Sequence, residues 1–503
     1  IEPSNRHERV SADYLRSRLI AMQEFSEAGE ELRLLSGVGG PLTWLLESFM
    51  QLPLATRADW EAADRQVQAV PTYLASMQAA LEEGLRRGIV ANRDQAESFA
   101  DRCTKRGGHG TLGLFRMFFA NDGPPYDMHD RMYDGIQRLR DAVAQMGEFV
   151  RTVYLPATRA TGGVGAEAFG LHAAMSSGTG IDFRELYDWA WDQIAPLREE
   201  AEILVRKLYS GRSIDDVMWK LDADSGDAFG SPDLAATEFQ DILDRALRSL
   251  AEFQMPDHPL VHDIELAAGW EGGYKITTYS PAPRIGEPAR VWLPDSSSQD
   301  FPVWRHVGPF HFVSVPGLHL LSTYNRFVSK HLTEFQRRTM VPAHSFGWGL
   351  YVERLLQRIG YLQDEPGWEL GAIQNTLLRT CRLIVDTGLH MQYSIPEFSS
   401  FHPGEVWNTE LAVEFLRSET FVQRGRAHVE VRRSISWPSQ LSSYKVGERA
   451  WITGLDACRA AAPDLSDLDV HSAALALGPL TTDQMDQELP NIADWMEPGN
   501  SLR

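Results

Sequence analysis

Cysteine, basic charge and long apolar runs are all scarce in this sequence. Cys103, Cys381 and Cys458 are the whole cysteine complement and lie far apart. They spell neither a disulfide framework nor a paired-cysteine metal site, and a reducing compartment suits them. Lysine and arginine number 48 against 69 aspartates and glutamates, a formal charge of −21. A surface of that sign repels phosphate, which argues against nucleic acid or anionic lipid as the main partner. No run of about 18 apolar residues occurs, so no helix is expected to span a bilayer. Glycine-rich phosphate loops, the Gly-x-Ser-x-Gly elbow and His-Glu-x-x-His are missing too. Gly162-Gly163-Val164-Gly165 has no following Lys-Ser/Thr, so it reads as a turn between helices rather than a phosphate cradle. Ser177-Gly178-Thr179-Gly180 lacks the serine position and the strand of a nucleophile elbow.

What remains is ordinary globular material. Hydrophobic residues make up 43% and charged residues 23% of the chain, which excludes a disordered or membrane-embedded protein. At about 150 residues per domain, 503 residues would accommodate three domains. No repeat, low-complexity linker or composition shift divides them, so one integrated unit is the simplest reading. Its N-terminal helical region spans 1–255; 256–503 carries a small sheet and a second helical region.

Apolar spacing of three and four predicts helices over Val10–Leu35, Tyr73–Leu85, Tyr126–Tyr154, Ile181–Tyr209 and Pro232–Gln254. The same spacing returns over Pro316–Lys330, Phe346–Ile359, Leu370–His390, Thr409–Thr420, Arg424–Ser434 and His471–Leu477. Between these sets, Val261–Ala268, Tyr274–Tyr279 and Ala289–Leu293 are short, rich in Val, Ile, Thr and Tyr, and separated by Gly and Pro. They are expected to form a small sheet.

Four segments carry the chemistry. Phe312-Val313-Ser314-Val315-Pro316-Gly317-Leu318 comes first, followed by Phe346-Gly347-Trp348-Gly349-Leu350-Tyr351-Val352-Glu353-Arg354-Leu355. Then come Arg382-Leu383-Ile384-Val385-Asp386-Thr387-Gly388-Leu389-His390 and Ser443-Tyr444-Lys445-Val446-Gly447. In order and spacing they resemble the bacterial domain-of-unknown-function family DUF-885. Its pattern reads H-E-x-x-P-G-H, E-G-W-A-x-Y-x-E-R-L, R-L-V-V-D-T-G-I-H and S-Y-K-x-G. The resemblance covers most of the chain and is looser around Pro41–Arg102. It implies a mainly α, multi-helix metallopeptidase-like (zincin-type) fold related to the Taq carboxypeptidase, with the small sheet beside a deep cleft. For the family it also implies a zinc cofactor.

The departures matter more than the match. With Pro316-Gly317 aligned, the two metal histidines fall on Phe312 and Leu318. The catalytic glutamate falls on Val313, and the glutamate of E-G-W, the implied third ligand, falls on Phe346. A catalytic zinc needs about three N or O ligands, and a carboxylate to take the proton from its water. None of these four side chains can serve, so no cofactor is expected, and the four should converge as an apolar cluster. His311, His319 and His344 lie closest in sequence to the lost ligands, with His306 and His331 farther off. They form either a relocated three-histidine site or ordinary packed histidines. If Pro316 opens a helix, His311 precedes it and His319 lies on its first turn.

Other polar residues of the pattern survive. Glu353 lies seven residues after Phe346 and so on the same helix face. Arg382, Asp386 and His390 step by four and form one polar stripe, with an Arg–Asp pair, in an otherwise apolar segment. An exposed pair of this kind contributes only ~0.3–0.5 kcal/mol. In the family, a tyrosine at Tyr444 is implied to donate a hydrogen bond to a reacting carbonyl. Glu353, Arg382, Asp386, His390 and Tyr444 are therefore the candidate ligand-binding residues. The expected function is non-hydrolytic binding of a peptide or small molecule. The alternatives are a metal-free enzyme acting on an amide or amino-acid-like substrate, and a zinc peptidase with a relocated site. A cytoplasmic location is expected. A leader or lipoprotein form stays open because the sequence starts at Ile1. The oligomeric state is open as well.

Overall fold

A computed structural model describes residues 3–36, 40–50, 52, 54–103, 118, 123–158, 162–225, 232–267, 277–294, 302–363, 365–420, 422 and 424–496. Local capping sets many of the helix limits. Asn5 accepts from the Glu8 amide and starts α1 (Arg6–Glu27). Gly29, at φ 73°, ends it, and Glu30–Arg33 is a separate 3-10 turn, so the helix stops short of the expected Leu35. The α2 helix is Pro41–Met50. A capping box of Thr56 and Asp59 opens α3 (Arg57–Arg87). This helix runs through Pro71 and well beyond the expected Tyr73–Leu85. Next come α4 (Arg93–Cys103), α5 (His129–Phe149), α6 (Ala166–Ser176), α7 (Phe183–Leu208), α8 (Ile214–Ser225) and α9 (Pro232–Arg248).

The sheet follows, with β1 (Ile264–Ala267), β2 (Thr278–Ser280) and β3 (Ala289–Trp292) in the order β1-β3-β2. Ile264 pairs with Ala289 in parallel, and Thr278 with Trp292 in antiparallel. Val261 and His262, expected in the first strand, belong instead to a 3-10 turn, Pro259–His262. Ala268 and 274–276 lie outside the described residues.

The C-terminal half adds α10 (Val303–Val313), α11 (Leu318–Thr323), α12 (Glu334–Arg338), α13 (Pro342–Arg358) and α14 (Pro366–Met391). It ends with α15 (Thr409–Thr420), α16 (Arg424–Ser436), α17 (Gln440–Ala461), α18 (Asp467–Ala476), α19 (Thr482–Glu488) and α20 (Ile492–Trp495). Pro316 does not open a helix. It sits in the turn between α10 and α11, so His311 lies within α10.

The protein is therefore mainly α-helical with one small mixed sheet. Among the described residues, three apolar clusters hold it together. One gathers Val67, Phe99 and Ile136 from α3, α4 and α5. A second packs Trp191 of α7 against Ile384 of α14 and Phe415 of α15. The third joins Val291 of the sheet to Phe310, Trp348 and Trp451 of α10, α13 and α17. Val10 and Tyr14 of α1 enter the third and second clusters, so both of these draw on both ends of the chain. No helix among the described residues is long and apolar enough to cross a membrane.

Candidate functional site

Glycines set the geometry where α10, α13, α14 and α17 meet. A side chain on Gly347 would strike Gly447, and one on Gly447 would strike the Ala343 carbonyl, so α13 and α17 cross almost backbone to backbone. A Cβ on Gly349 would run into the Phe312 ring. Trp348 then pins the turn after α10 by donating to the Pro316 carbonyl at 3.0 Å. The result is an aromatic stack. Tyr444 lies 4.5 Å from Phe346 at 18° and 5.9 Å from Phe312 at 20°, with the two phenylalanines 6.2 Å apart. Phe312, Val313 and Tyr444 are buried, while Phe346 and Leu318 stay partly exposed. Val313 and Leu318 pack into the same apolar cluster.

Guanidinium groups edge this stack. The Cζ of Arg379 lies 5.6 Å from the Phe312 ring and 5.9 Å from that of Tyr444, while Arg433 donates to the Tyr444 hydroxyl at 3.2 Å. Burial pushes the Tyr444 phenol up, but Arg433, Arg382 and Arg379 together hold it below its ordinary value. Arg382 pairs with Glu430. Burial also acts against the Glu430 carboxylate, yet Arg382, Arg433 and Arg426 bring it down to about 2.

Glu353 sits behind the stack. Both its carboxylate oxygens lack a hydrogen-bond partner, and Arg379 approaches no closer than 3.8 Å. Burial raises its carboxyl to about 7 despite Arg379. Arg379 donates instead to Asn375 Oδ1 at 3.1 Å, and neither Arg379 Nε nor Asn375 Nδ2 has a partner.

The expected polar stripe of α14 divides. Arg382 and Asp386 do not pair, because α16 lies alongside and meets each with a different residue: Glu430 reaches Arg382 and Ser434 reaches Asp386. Asp386 also accepts from the Ser442 hydroxyl at 2.8 Å and the Ser442 amide at 3.1 Å. Ser442 is in the first turn of α17, whose own cap residue Ser439 makes no side-chain cap bond. Asp386 thus caps α17 from another helix and fixes the turn that carries Tyr444. Burial raises its carboxyl to about 7 even with these bonds. His390 donates from Nε2 to the Ser434 carbonyl at 3.1 Å and accepts at Nδ1 from the Val164 amide at 3.2 Å. The 162–165 segment has no regular structure and lies against the end of α14, where a Cβ on Gly163 would strike the Leu389 carbonyl.

A family model described as "Bacterial protein of unknown function (DUF885)" matches residues 2–489. The chain belongs to the DUF885 family. No curated protein matches this DUF885 chain in sequence. Solved structures similar to it include these two. One, from Colwellia psychrerythraea and provisionally named a lipoprotein, has a TM-score of 0.77 at 17% identity, over 92% of this chain and 80% of its own. The other, from Shewanella oneidensis, is provisionally named a lipoprotein of unknown function. Its TM-score is 0.67 at 15% identity, over 96% of this chain and 87% of its own. At such identities the likeness is one of fold.

In this DUF885 protein Phe312, Val313, Leu318 and Phe346, the positions at which the sequence resemblance implied metal chemistry, offer no donor atom and do not suit zinc. The five histidines near them serve separate contacts. His319 bridges the sheet to α11, donating to the Val261 carbonyl at 2.9 Å and accepting from Tyr279 at 3.1 Å. His311 donates to the Val315 carbonyl at 2.9 Å. His344 packs 5.0 Å from Trp451, and His331 stacks on His7. Burial, with the charges of Arg426 and Arg305, lowers His306 well below its ordinary value. Among the described residues no three His, Cys, Asp or Glu side chains are grouped to hold a metal ion.

Sequence reasoning missed Arg379, Asn375, Arg433 and Glu430. Arg379 is seven residues before Asp386, and Asn375 is four before Arg379, so both continue the stripe of α14. That spacing was the available signal. Nothing in the sequence marks Arg433 or Glu430 as its partners from α16.

Proposed function

We propose that this DUF885 protein binds a peptide or small molecule without hydrolysing it, on a metallopeptidase-like scaffold whose metal positions have become a recognition surface. One observation carries the reading. Where the family motif would place metal ligands, Phe312 and Phe346 stack on Tyr444, edged by the guanidinium groups of Arg379 and Arg433. Aromatic faces and guanidinium groups suit recognition of an apolar group beside a polar one. The small sheet, tied to α11 through His319, offers edge strands close by for an extended peptide.

The test is a thermal-shift screen of N-acyl amino acids, dipeptides and their amides, paired with chromatographic detection of cleavage. A ligand at about a hundred times its dissociation constant should stabilise the protein by ~2.7 kcal/mol with no product formed. Accumulating cleavage products would overturn the reading. So would equal shifts for the native protein and an Arg379→Met, Tyr444→Ala variant.

A second reading, a metal-free enzyme, draws on Glu353, whose unpartnered carboxyl near pH 7 would suit a general acid or base. Asp386 and His390 contribute less to it, because their hydrogen bonds go to α16, α17 and the 162–165 segment. The lipoprotein names of the two similar structures described above favour an exported form over the cytoplasmic location expected from the sequence.

A further inference from the structure

We infer that the ligand is an anion, an apolar or aromatic carboxylate whose charged group seats on Arg379, and that its binding drives uptake of one proton by Glu353. This rests on the binding reading above and names the chemistry of that same site.

Charge at the centre of the site is unbalanced. Arg379 and Arg382 are almost fully buried, and Arg433 is partly buried. Glu430 pairs with Arg382. Arg379 has only the Asn375 amide and the carbonyl of the same residue within hydrogen-bond range. Nε of Arg379 and Nε of Arg382 are both without a partner. A buried cation without a bonded counter-ion is costly, and guanidinium geometry favours a carboxylate in two-point contact. Phe346, Leu318 and Arg433 are the partly exposed members of the site, so the apolar part of a ligand would meet Phe346 and Leu318.

Glu353 is the protein's own candidate counter-ion for Arg379, and it does not close the gap. It faces Arg379 and Asn375 of α14, and Gly308 of α10, which brings no charge. From α17 it feels Glu448, itself paired with Lys445, and from its own helix Arg354. A ligand carboxylate on Arg379 would compete for the main attraction that Glu353 has and place a second negative charge beside it. Neutralising Glu353 relieves both effects. Burial has already brought that carboxyl to about 7, so the coupling falls in an accessible pH range.

The sign follows. Below pH 7 Glu353 is mostly protonated before binding, and affinity changes little with pH. Above it a proton must be taken up, so affinity falls by up to tenfold per pH unit.

The experiment is calorimetry on the full chain between pH 6 and 9, in two buffers of different ionisation heat. The probes are N-acetyl-L-phenylalanine and its carboxamide. The acid should bind at least tenfold more tightly than the amide, with up to one proton taken up above pH 7. Glu353→Gln, which imitates the protonated form, should bind the acid with pH-independent affinity. Arg379→Met should lose at least tenfold while keeping its helical circular dichroism. Equal binding of acid and amide, zero proton uptake, or a pH slope that survives in Glu353→Gln would each overturn the inference. If neither probe binds, the inference falls. The binding reading falls with it only when the wider thermal-shift panel also leaves the melting temperature unmoved.

Discussion

Glu353 and Tyr444 show how a single buried polar group is held. The carboxyl of Glu353 stands at about 7 in the folded protein against 4.5 as its ordinary value, because burial disfavours the charge. A raised carboxyl contributes stability in its protonated form, and that contribution is lost as pH rises from 4.5 through about 7. Glu353→Gln should therefore raise stability by ~1–3 kcal/mol at pH 8.5 and by little at pH 5. Urea unfolding at the two pH values checks this; an equal effect at both would mean that the charge is not what costs. Tyr444→Phe keeps the ring stack and removes only the acceptor that Arg433 uses at 3.2 Å. It should cost ~1 kcal/mol in the free protein, seen as a small fall in the urea midpoint.

At the level of elements, the site depends on how closely α13 and α17 can approach. Gly447 has no space for a side chain against the Ala343 carbonyl. Gly447→Ala should push the two helices apart, cost ~3 kcal/mol and lower the midpoint of chemical unfolding. Gly425, where an added Cβ would meet no atom within 4 Å, is the control, and Gly425→Ala should be near neutral or slightly stabilising. The cap that α14 supplies to α17 is a second dependence. Asp386→Ala should cost ~3 kcal/mol, since Ser434 and the first turn of α17 lose their acceptor together. Asp386→Asn should cost less, because one acceptor oxygen remains. If both substitutions cost the same, the cap is not the source of the effect.

Across the whole molecule, buried histidines set the response to acid. Burial lowers His311, His319, His390 and His471 to about 4 and His344 to about 3. Such groups contribute stability as neutral rings. That contribution is complete above 6.5, their ordinary value, and is lost as pH falls from 6.5 through about 4. Glu353 and Asp386 act in the opposite sense over part of this window. Burial lowers His306 as well, and it raises Asp94, Glu238, Glu369 and Asp486 in the same sense as Glu353 and Asp386. Of these carboxyls only Glu353 and Asp386 move far, so the histidines prevail and the thermal midpoint should fall between pH 6.5 and 4. Replacing His344, whose ring nitrogens have no hydrogen-bond partner, with Phe should shift the onset of acid unfolding to lower pH. Calorimetric scans across that range read both effects, and an unchanged onset would remove His344 from the explanation.

Much of the architecture was legible because it repeats locally. Apolar spacing located the Thr409–Thr420 helix to the residue, and the Val/Ile/Thr/Tyr segments placed β3 and the neighbourhood of the sheet. The α17 helix was missed because its first half, Gln440–Glu448, is buried without a break although it is rich in Gln, Ser, Lys and Glu, so polarity there does not mark an outer face, and only the second half alternates buried and exposed residues. The α10 helix was missed too, with Gly308 and Pro309 in its interior. The sequence by itself determined the helical class and the resemblance to DUF885, because residue identity and spacing suffice for both, and it puts side chains without a metal-donor atom at Phe312, Val313, Leu318 and Phe346. Only the tertiary structure decided that Arg382 pairs with Glu430, that Asp386 caps α17 and that Arg379 stands over the aromatic stack. Those outcomes depend on which helix lies beside α14 and in what register, which is fixed by packing between distant segments rather than by any local pattern.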